Sequence, residues 1–117
     1  MTSTAMTKIS GYDLESGLKA IGQRPGADQG DPQLRILEAE HGAAADVGFW
    51  ECTPGGWPVD DRQDTEVAYI LSGKGEITDQ ATGEVHAIGS GDLVILPVGW
   101  TGRWNITETV RKVYVIF

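Results

Sequence analysis

The sequence predicts an all-β domain closed into a barrel or jelly roll. After Gly48, short runs rich in β-branched and aromatic residues recur roughly every eight to twelve residues, separated by Gly, Pro, Asp or Asn. No segment carries a long helical period, an internal repeat or low complexity. A chain of 117 residues supports one core, and an open sheet around it would leave two exposed edges, so closure is the economical arrangement.

The elements follow in order. From Met1 to Asp31 the chain is rich in Gly, Ser, Asp and Gln, and its one apolar grouping, Leu14, Leu18 and Ile21, suits a short helical turn. The expected organisation is therefore an N-terminal arm over residues 1–31 and a barrel over 32–117. Leu34 to Glu40 fits neither period cleanly, and its position before a β-domain tips it toward strand. The strands expected next are Val47–Thr53, Thr65–Leu71, Gly75–Thr78, Glu84–Ile88, Asp92–Leu96, Thr101–Ile106 and Val110–Phe117. Between them, Ser72-Gly73-Lys74, Asp79 to Gly83 and Gly89-Ser90-Gly91 read as turns in which glycine supplies positive φ.

Composition narrows the function classes. A formal charge of -8 disfavours phosphate backbones and anionic membranes, because affinity there comes from clustered Lys and Arg, and the one basic cluster is Arg111-Lys112. Neither nucleic acid nor membrane is an expected partner. Met1 to Ser10 is polar, and nowhere do about 18 apolar residues follow one another, so a cytoplasmic setting is expected. The single Cys52 excludes an intramolecular disulfide and reads as a small buried hydrophobe.

Two motifs sharpen the picture. Glu66 is followed after six residues by Gly73, and Gly91-Asp92-Leu93-Val94-Ile95-Leu96-Pro97-Val98-Gly99 has a Gly, five residues and Pro-x-Gly. Pro97 and Gly99 would end a buried strand by removing a donor and permitting a sharp bend. From Glu66 to Trp104 the chain resembles the two cupin motifs, which implies an RmlC-like jelly-roll barrel. With Gly48-Phe49-Trp50-Glu51, Pro54-Gly55 and Glu108 to Tyr114 added, it resembles the cupins that include ureidoglycine aminohydrolase and the ethanolamine-utilisation cupin. The resemblance covers about the last 70 residues and carries the fold further than the reaction, since cupins include hydrolases, isomerases, dioxygenases, sensors and storage proteins.

Where the chain departs from the motifs, it departs at the metal. A metal-binding cupin supplies a His-x-His pair shortly before the Glu and another His three residues after Pro-x-Gly. Here those positions fall on Val59 to Arg62 and on Gly102, so Glu66 alone remains and neither metal nor cofactor is expected. Replacement of a ligand by Gly102 beside Trp104 suggests coordination exchanged for space and stacking. His41, before Gly42, and His86, between Val85 and Ala87, lie off ligand spacing, and His86 reads as an exposed strand residue. Asp60, Asp61 and Asp64 read as a solvated acidic loop.

Glu66 is the first site candidate, since a carboxylate inside an apolar barrel needs a cation, a ligand or a raised pKa. Trp57, Trp100, Trp104, Tyr69 and Tyr114 could converge with it on one cavity, together with Trp50. Lys112 and Tyr114 share one face of the last strand, with Arg111, Val113 and Val115 on the other. Facing inward, Lys112 would neutralise Glu66 or hold an anionic ligand group; facing outward, it would be a solvated or interface lysine. Arg103 reads as a surface residue.

The expected function is binding of a small polar metabolite, nitrogenous or sugar-like, with polar groups met by Glu66 and apolar faces stacked on Trp104 and Tyr69. The rival is a metal-independent aminohydrolase or isomerase with Glu66 as its catalytic acid/base. A third reading is a non-catalytic accessory dimer. A homodimer is expected in any case, because a β-domain of this size leaves edges that pairing, or an arm reaching across, would cover.

Overall fold

Two long antiparallel strands carry the fold in the computed structural model, which describes residues 4–117. Nine strands form one connected sheet: β1 (Lys19–Gln23), β2 (Gln29–Gly30), β3 (Gln33–Glu38), β4 (Asp46–Cys52), β5 (Gly55–Val59), β6 (Glu66–Asp79), β7 (Val85–Gly89), β8 (Leu93–Leu96) and β9 (Gly102–Ile116). β6 and β9 pair along their whole length, from Glu66 opposite Ile116 to Asp79 opposite Gly102. Each changes its outer partner midway. β9 pairs β4 through Val110–Ile116 and β5 through Gly102–Ile106, while β6 pairs β8 through Glu66–Tyr69 and β7 through Lys74–Thr78. The sheet therefore has two wings, which curl around a shared core.

Two pairs of expected strands are thus single strands. The segment Ser72-Gly73-Lys74 is a set of β-bulges inside β6, where the register against β9 shifts, and no turn separates Leu71 from Gly75. Gly73 has φ +91°, and a Cβ there would stand 2.1 Å from the Thr109 carbonyl oxygen, so the strands can approach only at glycine. A bulge and a hairpin turn make the same demand for positive φ, which is why the residues alone read as a turn. Asp79 to Gly83 does form the β6–β7 hairpin, closed by the Asp79 amide donating to the Glu84 carbonyl.

The expected arm contributes structure of its own. A helical turn, α1 (Leu14–Gly17), precedes β1, which pairs with β3, and β2 pairs with β5. Leu18 is buried, whereas Ile21 is exposed. The outer face of β3–β4–β9 carries an ionic network that fixes α1. Buried Glu51 accepts from Arg35 at 2.7 and 2.8 Å and from Arg111 at 2.7 Å, and Glu15 bridges the same two guanidinium groups. Both arginines therefore point away from the core.

Strand alternation places Trp50, Cys52, Trp57, Ile70, Ile77, Trp104, Ile106, Val110 and Tyr114 in one inner cluster. Cys52 is fully buried, and burial pushes its thiol up to about 12, leaving it a structural hydrophobe with little thiolate at neutral pH. Among the described residues no helix is long and apolar enough to cross a membrane.

Candidate functional site

A buried charge pair lies on the inner face of the wing formed by β3, β4, β5 and β9. Glu66 opens β6 and Lys112 lies on β9, both about 5% exposed, and the Lys112 ammonium donates to Glu66 Oε2 at 2.6 Å. Alternation along β9 brings Lys112 inside, on the same face as Trp104, Ile106, Val110 and Tyr114, opposite Trp50 of β4 and Ile70 of β6. Of the two faces open to it, the inward one is occupied.

Two indole rings lie against that ammonium. It lies 4.1 Å from the Trp50 ring centroid and 4.5 Å from that of Trp104, distances at which the ring quadrupoles attract a cation. Trp57 and Trp104 are directly cross-strand and lie nearly parallel, 8° apart, while Trp50 meets Trp57 edge-on; each pair of centroids is 6.0 Å apart. Gly48 makes room for the neighbouring Tyr114, because a Cβ there would stand 2.7 Å from the phenol oxygen.

Arg62 completes the cluster from the loop between β5 and β6. Its guanidinium stands 3.2 Å from Glu66 Oε1 and donates to Asp64 at 2.9 Å. The loop is held by the turn after β8: the Gly99 amide donates to the Arg62 carbonyl and the Arg62 amide to the Trp100 carbonyl. The Pro97-x-Gly99 motif thus positions a cation over the carboxylate of the other motif. Burial pushes the Glu66 pKa up, but attraction to Lys112, the hydrogen bond from it, and the Arg62 and Arg24 charges outweigh burial and hold it below the ordinary 4.5.

These residues line a pocket of about 330 Å³ together with Arg24, Trp57, Glu38 and Asp46. Of the residues singled out in the sequence, Glu66, Trp57, Trp104, Lys112 and Tyr114 converge here. Tyr69 and Trp100 do not. Tyr69 is 46% exposed on the outer face of β6, so no ligand in this pocket stacks on it, and Trp100 belongs to a larger groove of about 770 Å³ based on Ile77, Ile88 and Leu96. Gly102 offers no free space either: a Cβ there would meet the Thr78 carbonyl oxygen at 2.2 Å and the Trp100 ring at 2.3 Å. Trp100 has filled the position where stacking room was expected. Arg103 bonds Asp28 through two nitrogens, tying β2 to the sheet, and His86 is exposed on β7. Trp50, grouped with the other rings in the sequence, lines the pocket as well, whereas Arg24 and Arg62 join it without having been singled out there.

The metal that the resemblance implies does not fit this donor set. Among the described residues no group of three or more His, Cys, Asp or Glu side chains is close enough to hold an ion, and both Glu66 oxygens face cations. A carboxylate so neutralised offers little to a metal, and the ammonium beside it would repel one.

Acid sensitivity follows from the same groups. Glu66 and Glu51 both have folded pKa values below the ordinary 4.5, Glu51 through its bonds to Arg35 and Arg111 against an opposing push from burial. Their contribution to stability is present above the unfolded value and lost as pH falls through the folded ones. Thermal midpoints measured from pH 7 downward are expected to hold until about pH 4.5 and then fall, less steeply in Glu66→Gln. Midpoints unchanged below pH 4 would contradict the assignment.

The EutQ-like cupin domain family matches residues 39–114. Solved structures resemble the chain as well. A putative ethanolamine utilization protein EutQ from Salmonella typhimurium is 21% identical, with TM-score 0.66, over 82% of this chain and 76% of that one. A DUF861 family protein from Thermotoga maritima is 38% identical over 59% of this chain and 76% of its own, with TM-score 0.54. The polyketide cyclase RemF from Streptomyces resistomycificus reaches TM-score 0.70 at 22% identity, over 96% of this chain and 79% of its own. No curated protein matches.

Proposed function

The chain belongs to the EutQ-like cupin domain family, and we propose that it binds one small polar metabolite in its inner pocket, without a resident metal. The observation that carries this reading is the buried Lys112–Glu66–Arg62 cluster set over three tryptophans in a pocket of about 330 Å³, the lower end of ordinary ligand-site volumes. An apolar filling would satisfy the core more cheaply, and charge pairs buried at a pocket wall present donors and acceptors to a guest.

The same geometry argues against the aminohydrolase or isomerase alternative, including chemistry of the ureidoglycine aminohydrolase type. A general acid must hold a proton near neutral pH, whereas Glu66 is kept ionised, and the cations facing its two oxygens lower its basicity below that of an ordinary carboxylate. Binding is tested by tryptophan fluorescence and thermal shift against ureides, amines, amino acids and sugars, since Trp50, Trp57 and Trp104 would report occupancy. Glu66→Gln leaves Lys112 and Arg62 without their shared anion, so the affinity of a ligand found is expected to change by roughly 1.5–3 kcal/mol, the range for a hydrogen bond to a charged group, weakening for a cationic ligand and tightening for an anionic one. A full panel without response, or unchanged affinity in Glu66→Gln, would place function elsewhere.

A second copy of the chain is the proposed partner. The outer face of β4, β9, β6 and β8 carries two cross-strand apolar rows, Val47–Val115–Val67–Ile95 and Phe49–Val113–Tyr69–Leu93. Leu93 and Ile95 are 63% and 60% exposed, an apolar concentration that suits a self-complementary interface. Light scattering at micromolar concentration is expected to give a dimer, and Ile95→Lys a monomer. A monomeric parent protein would remove the proposal.

A further inference from the structure

Among the described residues, Arg24 differs from the other cations of the pocket in having no anion within ion-pair distance. The lining holds Arg24, Arg62 and Lys112 against Glu38, Asp46 and Glu66, so the sum of charges is balanced and only the pairing is informative. Lys112 is bonded to Glu66, and Arg62 to Asp64 with Glu66 beside it. Arg24 lies over the Trp57 ring, 5.2 Å from its centroid, and among the described residues the one hydrogen bond of its guanidinium goes to the carbonyl of the adjacent Pro25. Among the described residues Glu38 and Asp46 have no ion-pair partner either, but both are exposed, where water solvates them.

Arg24 is half-buried, and burial pushes its pKa down, opposed in part by the Glu66 charge. A guanidinium half withdrawn from water, with most of its donors unpaired by the protein, gains from an anion that completes it. The fork of N–H donors matches an oxyanion of carboxylate geometry, and the indole face of Trp57 holds the cation beside the pocket. The turn that presents Arg24 is itself anchored, the Arg24 amide donating to the Pro32 carbonyl at 2.8 Å.

We infer that Arg24 is the specificity-determining residue of the pocket and that the ligand carries one carboxylate, which pairs with the Arg24 guanidinium above Trp57. This rests on the ligand-binding reading and narrows it to small monocarboxylates with an apolar or amide-bearing body. The body lies toward Trp57 and Trp104, and the exposed Glu38 and Asp46 disfavour a second negative charge at the rim. Lys112 remains engaged with Glu66, so the incoming carboxylate adds an anion where the pocket lacks one.

Paired probes of matched shape test this on the full chain: benzoate with benzamide, and N-acetylglycine with N-acetylglycinamide, titrated at pH 7 with tryptophan fluorescence as readout. The acid of at least one pair is expected to bind at least about tenfold more tightly than its amide, the discrimination a site built for a polar group supports. In Arg24→Gln that preference should shrink to about twofold, and Arg24→Lys should recover part of it, because an ammonium keeps the charge and loses the fork. Thermal melts of both variants confirm that they fold. Amides binding as well as acids, or a preference that survives Arg24→Gln, would overturn the assignment of Arg24 while leaving the pocket a binding site for neutral ligands. No response to either member of both pairs would likewise overturn the carboxylate inference. The broader panel of ureides, amines and sugars decides the parent reading separately.

Discussion

Lys112→Met is expected to lower folding stability by about 3–5 kcal/mol, the range seen when one partner of a buried ion pair is removed. The substitution keeps a long apolar stem between Trp50 and Trp104, so little packing is lost and most of the effect is electrostatic. Glu66 would then be left buried with Arg62 alone, at 3.2 Å and itself shared with Asp64. Glu66→Gln should cost less. The Gln oxygen still accepts from the ammonium, and the cation keeps its two indole faces at 4.1 and 4.5 Å. The double variant Glu66→Gln/Lys112→Met should be more stable than Lys112→Met alone, because it removes the orphaned charge. Urea denaturation of the four proteins closes the cycle, with an expected coupling of roughly 0.5–3 kcal/mol. Purely additive losses, or a Lys112→Met variant within about 0.5 kcal/mol of the parent, would mean that the pair is not the centre of this pocket.

The fold was legible because it depends on local chemistry: β-branched runs, glycines with positive φ and the stop at Pro97-x-Gly99 are short-range signals. The site was legible only where it coincided with those signals, as at Glu66 and Trp104. The face occupied by Lys112 was lost through one error of segmentation. With Thr101–Ile106 and Val110–Phe117 read as separate strands, nothing linked the phase of the second to that of the first. As the single strand β9, its even positions Trp104, Ile106, Val110 and Tyr114 are all buried, and Lys112 must follow them inward. Continuity of parity across residues 107–109 was the available signal. Arg24 and Arg62 had no such signal, since both lie in connecting segments placed by long-range bonds to Pro32, Gly99 and Trp100. Tyr69 was misplaced for the opposite reason: its neighbours Ala68 and Ile70 are the buried ones, and alternation sends Tyr69 outward. Trp100 was grouped by type with the other tryptophans, although a loop position leaves the direction of the ring undetermined by period.

The pocket wall itself supplies the second large effect. Trp104→Ala should cost about 3–5 kcal/mol, the usual loss for truncating a large buried aromatic, because Trp104 is only 2% exposed. Three contacts go with it: the near-parallel face of Trp57, the tilted edge of Trp50 at 6.0 Å, and the attraction to the Lys112 ammonium. Trp104→Phe should lose less, since a smaller ring still meets Trp57 and the cation. Trp100 provides the contrast that separates packing from binding. It is also buried, at 8% exposed, but it fills the groove based on Ile77, Ile88 and Leu96. Trp100→Ala should therefore destabilise the fold comparably while a ligand found for the parent protein still binds, whereas Trp104→Ala, assayed well below its melting temperature, should lose that ligand. Calorimetric titration gives affinity without relying on the tryptophans being replaced. The reverse outcome, binding lost with Trp100 and kept without Trp104, would move the binding site from the charged pocket to the larger groove.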